Sequence, residues 1–429
     1  MPTGRGFYGW KLVGALASID FLNLGFPFYI GAIINPYMLR HIPMSRGMFG
    51  FGSTLVNLFV GVPSTLVAIS IVKRSIRSTY VIGSALIFIG SLFLAFATTK
   101  PWHFLLAYGV IVGCGICFGD IICGSTAAAR WFERYRGRAV GLILSGSGVC
   151  GLMAPLMDKF LSAHNGNWRL GWQIGAACAV LSAIIALLFV RERPEDLGQL
   201  PDGGKELEAS AAQSHAPSKL ITGYEWTAGE AYRTASYWLV VVAGLAAQFP
   251  FFLFVPHWFL YLTNTGIPSG AAAFSLSLMP VSCIVGRLIG GWLMDTINAR
   301  VAFLIGLLCY VVGSLAALRA GPGELLETDS AAVLYGLAIG WTFTCMTTCV
   351  AHYYGPGAFP KLAGTLLFWT SGGASPAAWV GGKIYDMYGG YARAWELNII
   401  ITVVGILAIL FAAMPRPSRE TSAVIARAA

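Results

Sequence analysis

The sequence predicts an all-α membrane protein with twelve transmembrane helices in two six-helix bundles. Three observations support this fold class. Hydrophobic residues make up 56% of the 429-residue chain and charged residues only 11%, whereas soluble domains usually carry about 25% charged residues. The mean hydropathy is +0.69. The apolar residues also fall into blocks of about 20, the length of helix that crosses a bilayer core of about 30 Å.

Twelve apolar blocks can be placed along the chain. Each is expected to be a helix, because backbone groups in lipid must be hydrogen-bonded within their own segment. A polar stretch rich in Pro, Gly and Ala separates the sixth block from the seventh, and its composition is typical of a linker. We expect an N-terminal six-helix bundle over 1–191, a cytoplasmic linker over 192–235 and a C-terminal six-helix bundle over 236–429. The predicted spans are 8–36, 47–70, 79–98, 103–129, 139–160, 170–191, 236–262, 270–294, 300–318, 330–352, 362–382 and 394–414.

The net charge of +9 raises the question of nucleic-acid binding. The lysines and arginines lie mostly in short loops between apolar blocks, however, and there they set the orientation of a membrane protein. We therefore expect no nucleic-acid partner. An even number of spans places both termini on one side of the membrane, and the charges of the linker and termini favour the cytoplasmic side. The N-terminus lacks a short hydrophobic region with an Ala-x-Ala site, so no cleaved signal is expected.

Several motifs of other protein classes are missing. The sequence contains no G-x-x-x-x-G-K-[ST] phosphate loop, no H-E-x-x-H zinc motif, no G-x-S-x-G elbow and no T-V-G-Y-G channel filter. The nine cysteines lie in apolar blocks, where they are expected to pack as small hydrophobes, and this includes the pair in Cys114-Gly-Ile-Cys117. We expect a secondary transporter, not an enzyme, with no cofactor and no metal site.

Charged residues inside predicted spans are the strongest functional candidates, because each costs about 2.5–3.5 kcal/mol at the centre of a membrane helix. Arg287 lies deep in the eighth span. Its guanidinium stays protonated and presents a planar fork that fits a carboxylate, so it is a candidate binding group for an anion. The alternative is a fixed ion pair with a carboxylate on another helix.

Three further titratable groups lie in the spans. Asp20 is midway along the first span and Asp120 lies in the later half of the fourth, and either could take up and release a proton. Asp120 is also a candidate substrate-binding residue. The alternative is that they only neutralise Arg287 or accept hydrogen bonds between helices. His257, beside Pro256 in the seventh span, could also titrate or bind substrate. Phe28 and the neighbouring Tyr29 are candidates for an apolar wall of the same site, although packing is the more common role of such residues.

The chain resembles the major facilitator superfamily and, within it, the monocarboxylate transporter family and its bacterial relatives, including the oxalate/formate antiporters. The most specific segment is Arg130-Trp-Phe-Glu-Arg-Tyr-Arg136-Gly-Arg-Ala-Val-Gly141, which resembles the R-W-F-x-x-x-R-G-x-A-x-G loop after the fourth helix of that family. Further matches are the Tyr8-Gly-Trp10 opening and Arg287-x-x-x-Gly291-x-x-x-Asp295 in the eighth helix. The resemblance covers nearly the whole chain.

The resemblance implies roles for individual residues. Arg287 would bind the substrate carboxylate, and Asp295 would be a gating or packing residue at the cytoplasmic end, where we also expect Arg130 and Arg136 to act as gating residues. Phe343 and Trp369 occupy positions similar to those where oxalate-type relatives place aromatics around the substrate. The localisation implied is the cytoplasmic (inner) membrane of a bacterium.

Two departures from the family pattern restrict the substrate and the proton path. The second cation of the oxalate antiporter, in the eleventh helix, is replaced here by Gly372, so a dianion is disfavoured. The acidic residue one turn before the arginine of animal monocarboxylate transporters is replaced by Cys283. Proton coupling would therefore use Asp20 or Asp120.

The sequence thus predicts a monomeric proton-coupled symporter that carries a small monocarboxylate across the lipid bilayer by alternating access. An organic anion exchanger of the oxalate/formate type is one alternative. A proton-driven exporter of drugs or other solutes is another, because Asp20 and Asp120 could bind cations. The identity of the carboxylate is not encoded in any motif.

Overall fold

The computed structural model describes residues 7–132, 135–204, 224 and 226–415. Within these ranges eleven helices are long and apolar enough to cross a membrane. The one remaining predicted span, the eleventh at 362–382, is also helical, but it is made of two shorter segments that meet at Ser375 and Pro376. In chain order, α1 to α12 are Gly9–Met38, Arg46–Lys73, Ile76–Ala97, Pro101–Trp131, Arg138–Ala163, Trp168–Phe189, Ala235–Asn264, Ser269–Thr296, Ala299–Arg319, Leu325–Gly355, 356–388 and Ala392–Phe411.

The predicted fold class is confirmed: the helices form six spans, a linker and six further spans, and each observed helix overlaps its predicted span. The largest local difference from the predicted spans is at the end of α10. Its helical run passes into α11 with only a break at Gly355, where φ is +74° and ψ is 173°. A residue with a side chain is strained at such a positive φ, so glycine is needed at this corner.

The two ends of the bundle differ in how the halves meet. We call the end that carries the linker the linker face, and the end that carries Tyr37, Arg46 and Ser269 the far face. Packing between the halves is concentrated towards the far face, where α2 lies on α11, α5 on α8 and α1 on α7. Gly50 allows the closest approach, because a Cβ there would overlap the carbonyl oxygen of Ala378. The far face is therefore the closed end of the interface.

The first linker residues belong structurally to the N-terminal half. Glu192 forms an ion pair with Arg130 at 2.8 Å and accepts a hydrogen bond from the backbone N–H of Arg77 at 3.1 Å. The Arg77 guanidinium in turn donates to the carbonyl of Val190. These contacts fasten the start of the linker to the ends of α3, α4 and α6.

The last linker residues belong to the C-terminal half. A short helix, Ala228–Tyr232, begins at Thr227, whose hydroxyl and backbone N–H both bond to the Glu230 carboxylate. Trp226 is buried against the ring of Tyr354. The hydrogen bonds from Thr227 hold the pKa of the exposed Glu230 carboxyl below its usual range.

Helical geometry is interrupted near the centre of the N-terminal half. In α1 the segment Phe21–Ile30 winds as a π-helix around Pro27. In α4 the backbone leaves helical geometry at Gly119 and Asp120. In α5 it is interrupted at Leu144. Such irregular turns are frequent at functional sites in membrane helices.

Candidate binding site

Asp20 lies at the end of the regular part of α1, directly before its π-helical segment, and is 2% exposed. Its Oδ2 accepts a hydrogen bond from the backbone N–H of Ser147 in α5 at 2.5 Å. This contact depends on Gly146, because a Cβ there would overlap the carbonyl oxygen of Ala17. Two helices must therefore touch backbone to backbone before the carboxylate can reach an N–H group of α5.

Asp120 lies at the break in α4 and is 4% exposed. Its carboxyl lies within hydrogen-bonding reach of the Asp20 carboxyl. The structure therefore brings together the two acidic residues that the sequence singled out, although they are 100 positions apart in the chain. The backbone of Asp120 is not helical: its φ and ψ are −145° and −124°. The break in α4 therefore determines where the Asp120 side chain starts.

The break in α4 is stabilised by Asn23, which the sequence analysis did not nominate. The Asn23 amide donates to the carbonyl of Gly119 at 3.1 Å and to the hydroxyl of Ser84 at 3.2 Å. Cys123 contributes from the other side, since its thiol donates to the carbonyl of Phe118 at 3.3 Å. A broken helix in an apolar environment needs such replacement partners for its freed carbonyl groups. Asn23 could have been noticed as an amide one turn from Asp20.

Arg287 reaches across from the C-terminal half. It lies in α8, is partly exposed, and its Nη1 lies 3.5 Å from the carbonyl oxygen of Leu144, at the break in α5. Cys283, one turn earlier, contacts the guanidinium. Arg287 is also close enough to Asp20 for their charges to interact. Since a guanidinium has five N–H donors, one long bond to a carbonyl and one contact with a thiol leave most of them for another acceptor.

Tyr29 and Phe28 lie beside this group on α1. Tyr29 is close to Arg287, Cys283 and Asp20. Phe28 stacks on Phe251 of α7, with ring centroids 5.8 Å apart, and so contributes to the contact between the halves. We call Asp20, Tyr29, Asp120, Ser147, Cys283 and Arg287 the central cluster.

The other candidate binding residues have different surroundings. His257 is buried, its Nε2 lies 2.7 Å from the carbonyl of Ala378 and its Nδ1 lies 3.0 Å from the Tyr391 hydroxyl. Since a carbonyl only accepts, Nε2 must carry a proton and donate, and both ring nitrogens are therefore used in contacts at the far face. Trp369 is 46% exposed and packs on Trp238. The structure therefore does not place either residue in the central cluster.

Phe343 lies closer to the central cluster. Gly340, one turn before it in α10, packs against the backbone nitrogen of Arg287. Phe343 is partly buried in the core of the C-terminal half. It thus lies about one helical turn from the point where α10 and α8 make contact.

Of the three predicted gating residues, only Arg130 has a described side chain, and it pairs with Glu192. Arg136 begins the helix Arg136–Ile143, and Asp295 lies in the last turn of α8. The side chains of Arg136 and Asp295 lie outside the described residues, so their gating roles stay predictions.

Two aspartates that the sequence analysis passed over join the halves at the far face. Asp386 of α11 accepts hydrogen bonds from the backbone N–H groups of Arg46 and Gly47, both at 2.8 Å. These are the first N–H groups of α2, which have no partner inside their own helix. Asp158 of α5 accepts from the hydroxyls of Tyr37 at 2.7 Å and of Ser269, the first residue of α8, at 2.9 Å. We call these contacts the far-face bridges.

Comparisons with known proteins agree with this architecture. The family model of the Major Facilitator Superfamily matches residues 16–378. Monocarboxylate transporter 1 of Bos taurus is 25% identical over 437 aligned residues, which cover 94% of this chain and 84% of that protein. Monocarboxylate transporter 13 of Bos taurus is 28% identical over 297 residues, which cover 67% of this chain and 60% of that relative's length.

The fold comparison is equally extensive. The crystal structure of a D-xylose–proton symporter superposes with a TM-score of 0.72 at 15% identity, and covers 96% of this chain and 98% of that one. Likeness at this identity concerns the fold. The family model, by contrast, extends over most of the chain, from α1 into α11. The protein belongs to the major facilitator superfamily, and its relatives include monocarboxylate transporters.

Proposed function

We propose that this protein is a proton-coupled symporter of a small monocarboxylate, working as a monomer in the bilayer by alternating access. The observation that carries the proposal is the position of Arg287. Its guanidinium projects from the C-terminal half towards the break in α5 of the N-terminal half, close to the buried Asp20 carboxyl, which itself lies within hydrogen-bonding reach of Asp120. An anion bound there would touch both halves, which is what a substrate that drives their rocking must do.

The class of substrate follows from the charges of the central cluster. A single guanidinium matches one carboxylate through a bidentate pair of hydrogen bonds. Tyr29 and Phe28 would offer an apolar wall for the organic part of the substrate. The names of the relatives, monocarboxylate transporters 1 and 13, agree with an organic acid of this kind.

The proton would be carried by the acidic residues of the cluster. Asp20 and Asp120 are almost fully buried, and a carboxylate in such surroundings is stabilised by taking up a proton when another negative charge arrives beside it. The proton and the substrate would then travel together with little net charge.

We place the linker face and both termini in the cytoplasm of a bacterial cell, with the protein in its inner membrane. The state described is then closed on the outer side, where the far-face bridges and the Gly50–Ala378 contact join the halves. Asp295, Arg130 and Arg136 would take part in closing the cytoplasmic side in the opposite state.

The test is uptake into proteoliposomes with a panel of labelled monocarboxylates, with and without an inward proton gradient. A symporter accumulates its substrate only with the gradient, and an uncoupler abolishes accumulation. Uptake that ignores the gradient but requires an internal carboxylate would make the protein an exchanger. Silence across the panel, together with proton-driven export of organic cations, would make it an exporter.

A further inference from the structure

We propose that Asp20 and Asp120 form one proton site, in which a first proton is shared between the two carboxyls throughout the cycle and a second is the one transported. This inference rests on the proposed symport function and specifies how its proton is held. It starts from the position of the two groups: their carboxyls lie within hydrogen-bonding reach of each other, and both residues are almost fully buried. Two ionised carboxylates so placed repel each other strongly, whereas a pair holding one proton is joined by a hydrogen bond.

The backbone around the pair fixes this geometry. Asp20 is held by the N–H of Ser147, and the break that orients Asp120 is held by the Asn23 amide on Gly119. Gly83 of α3 packs directly against the backbone at the break, because a Cβ there would lie 2.5 Å from the backbone nitrogen of Gly119. The Asp20 carboxyl cannot turn away without losing its bond to Ser147, and the Asp120 backbone cannot shift without disturbing the contacts of Gly119. We therefore expect the two groups to bind protons as a unit.

The charges of the cluster then explain how substrate and proton are coupled. Two carboxylates, one shared proton and the Arg287 guanidinium sum to a neutral site. A bound monocarboxylate adds one negative charge, and a second proton on the pair restores neutrality. The proton enters from water on the side from which the substrate comes, adds to the carboxyl group of the pair that is still ionised, and is released to water on the other side. No other bond is made or broken.

The groups that face the pair from neighbouring helices are mostly neutral near pH 7. Arg287 supplies the only positive charge among those whose electrostatic effect on Asp20 is resolved. The other titratable side chains near the pair are two tyrosines and three cysteines. They are Tyr29 of α1, Tyr80 of α3, Cys117 and Cys123 of α4, and Cys150 of α5.

The decisive transport experiment uses Asp20→Asn, Asp120→Asn and the double variant in proteoliposomes. Each single variant keeps one carboxylate, whose negative charge is balanced by the Arg287 guanidinium, so the site is neutral without a shared proton. We therefore expect both single variants to retain gradient-driven uptake. The pH of half-maximal uptake should move upwards in both, because the transported proton no longer joins a pair that already holds one. The double variant should lose accumulation completely but still exchange labelled for unlabelled substrate, since Arg287 is intact.

Three transport results would overturn the shared site. One is the loss of accumulation in a single variant while the other behaves like wild type, because then one carboxyl alone carries the proton. Another is gradient-driven accumulation by the double variant, which would place the proton elsewhere. The third is a half-maximal pH that stays unchanged in both single variants.

A second measurement does not depend on transport. Infrared spectra of the purified protein near pH 7 should contain a carbonyl band from a protonated carboxyl, and each single Asn variant should lose it. If the band survives in either variant, the shared proton is refuted even where wild-type uptake is proton-driven. If the band behaves as expected but wild-type uptake ignores the gradient, the symport function fails and the paired carboxyls stand as a structural proton site.

Discussion

The two halves of the protein contribute in the same way to the far face and in opposite ways to the centre. At the far face each half provides an aspartate from its fifth helix, Asp158 or Asp386, to the first residues of the other half's second helix. At the centre the N-terminal half provides carboxyls on interrupted helices, whereas the C-terminal half provides Arg287 on a helix without such a break. The two halves thus form equivalent contacts at the far face but contribute different chemical groups to the central cluster.

The largest effect on transport should come from the central cluster, where only the C-terminal half contributes a guanidinium. Arg287→Gln removes the only guanidinium of the central cluster, and loss of one partner of a buried charge pair costs about 2–5 kcal/mol. We expect apparent substrate affinity in proteoliposome uptake to fall by at least about 30-fold. Arg300→Gln, an arginine at the start of α9 that bonds to the carbonyl of Leu410, is the matched control. Normal affinity in Arg287→Gln would refute the proposed binding site.

The next effect concerns the close packing of the far face. Gly50→Val would place a side chain against the Ala378 carbonyl, so the halves must separate there. We expect faster deuterium exchange at the far-face ends of α2 and α11, measured by mass spectrometry. Gly364→Val in α11 serves as a control, since a Cβ at Gly364 would meet no atom within 4 Å. Equal exchange in the two variants would mean that this contact does not close the far face.

A smaller difference should separate the two far-face bridges. In Asp386→Asn the amide NH2 faces a backbone N–H that can only donate, whereas in Asp158→Asn it faces a hydroxyl that can also accept. We expect Asp386→Asn to destabilise the closed far face by about 1 kcal/mol, which makes opening about fivefold more frequent. Asp158→Asn should destabilise it by less. Deuterium exchange at the start of α2 is the measurement. The reverse order would show that burial of Asp158 outweighs hydrogen-bond chemistry.

The smallest effect compares the two ends of the linker. Glu192 is tied to the N-terminal half by an ion pair, whereas Glu230 bonds mainly within its own helix. Because the pKa of Glu230 is lowered in the folded protein, its stabilising contribution is present above the ordinary glutamate pKa and is lost as the pH falls through the lowered value. Exchange in Ala228–Tyr232, corrected for its intrinsic pH dependence, should rise in acid. Glu230→Gln should remove that rise.

The sequence predicted the membrane-spanning helices well and only part of the candidate site. Length and hydropathy predicted every span, because crossing a bilayer imposes a minimum run of apolar residues. The cost of burying charge identified Asp20, Asp120 and Arg287. The break at Asp120 could not be predicted, since it depends on Asn23, which is far away in the chain. Asp158 and Asp386 looked like ordinary residues at the ends of spans, because their partners belong to the opposite half.

One helix connects the two kinds of contact. α8 begins at Ser269, which holds Asp158, and carries Arg287 about 27 Å further along its axis. If substrate bound to Arg287 changes the probability that the far face opens, thermodynamic reciprocity requires opening to change substrate affinity by the same factor. A mutation at Ser269 would then alter affinity without touching the ligand. An inhibitor wedged at the far face would act as an allosteric effector, and its potency would report on the occupancy of a site that it never contacts.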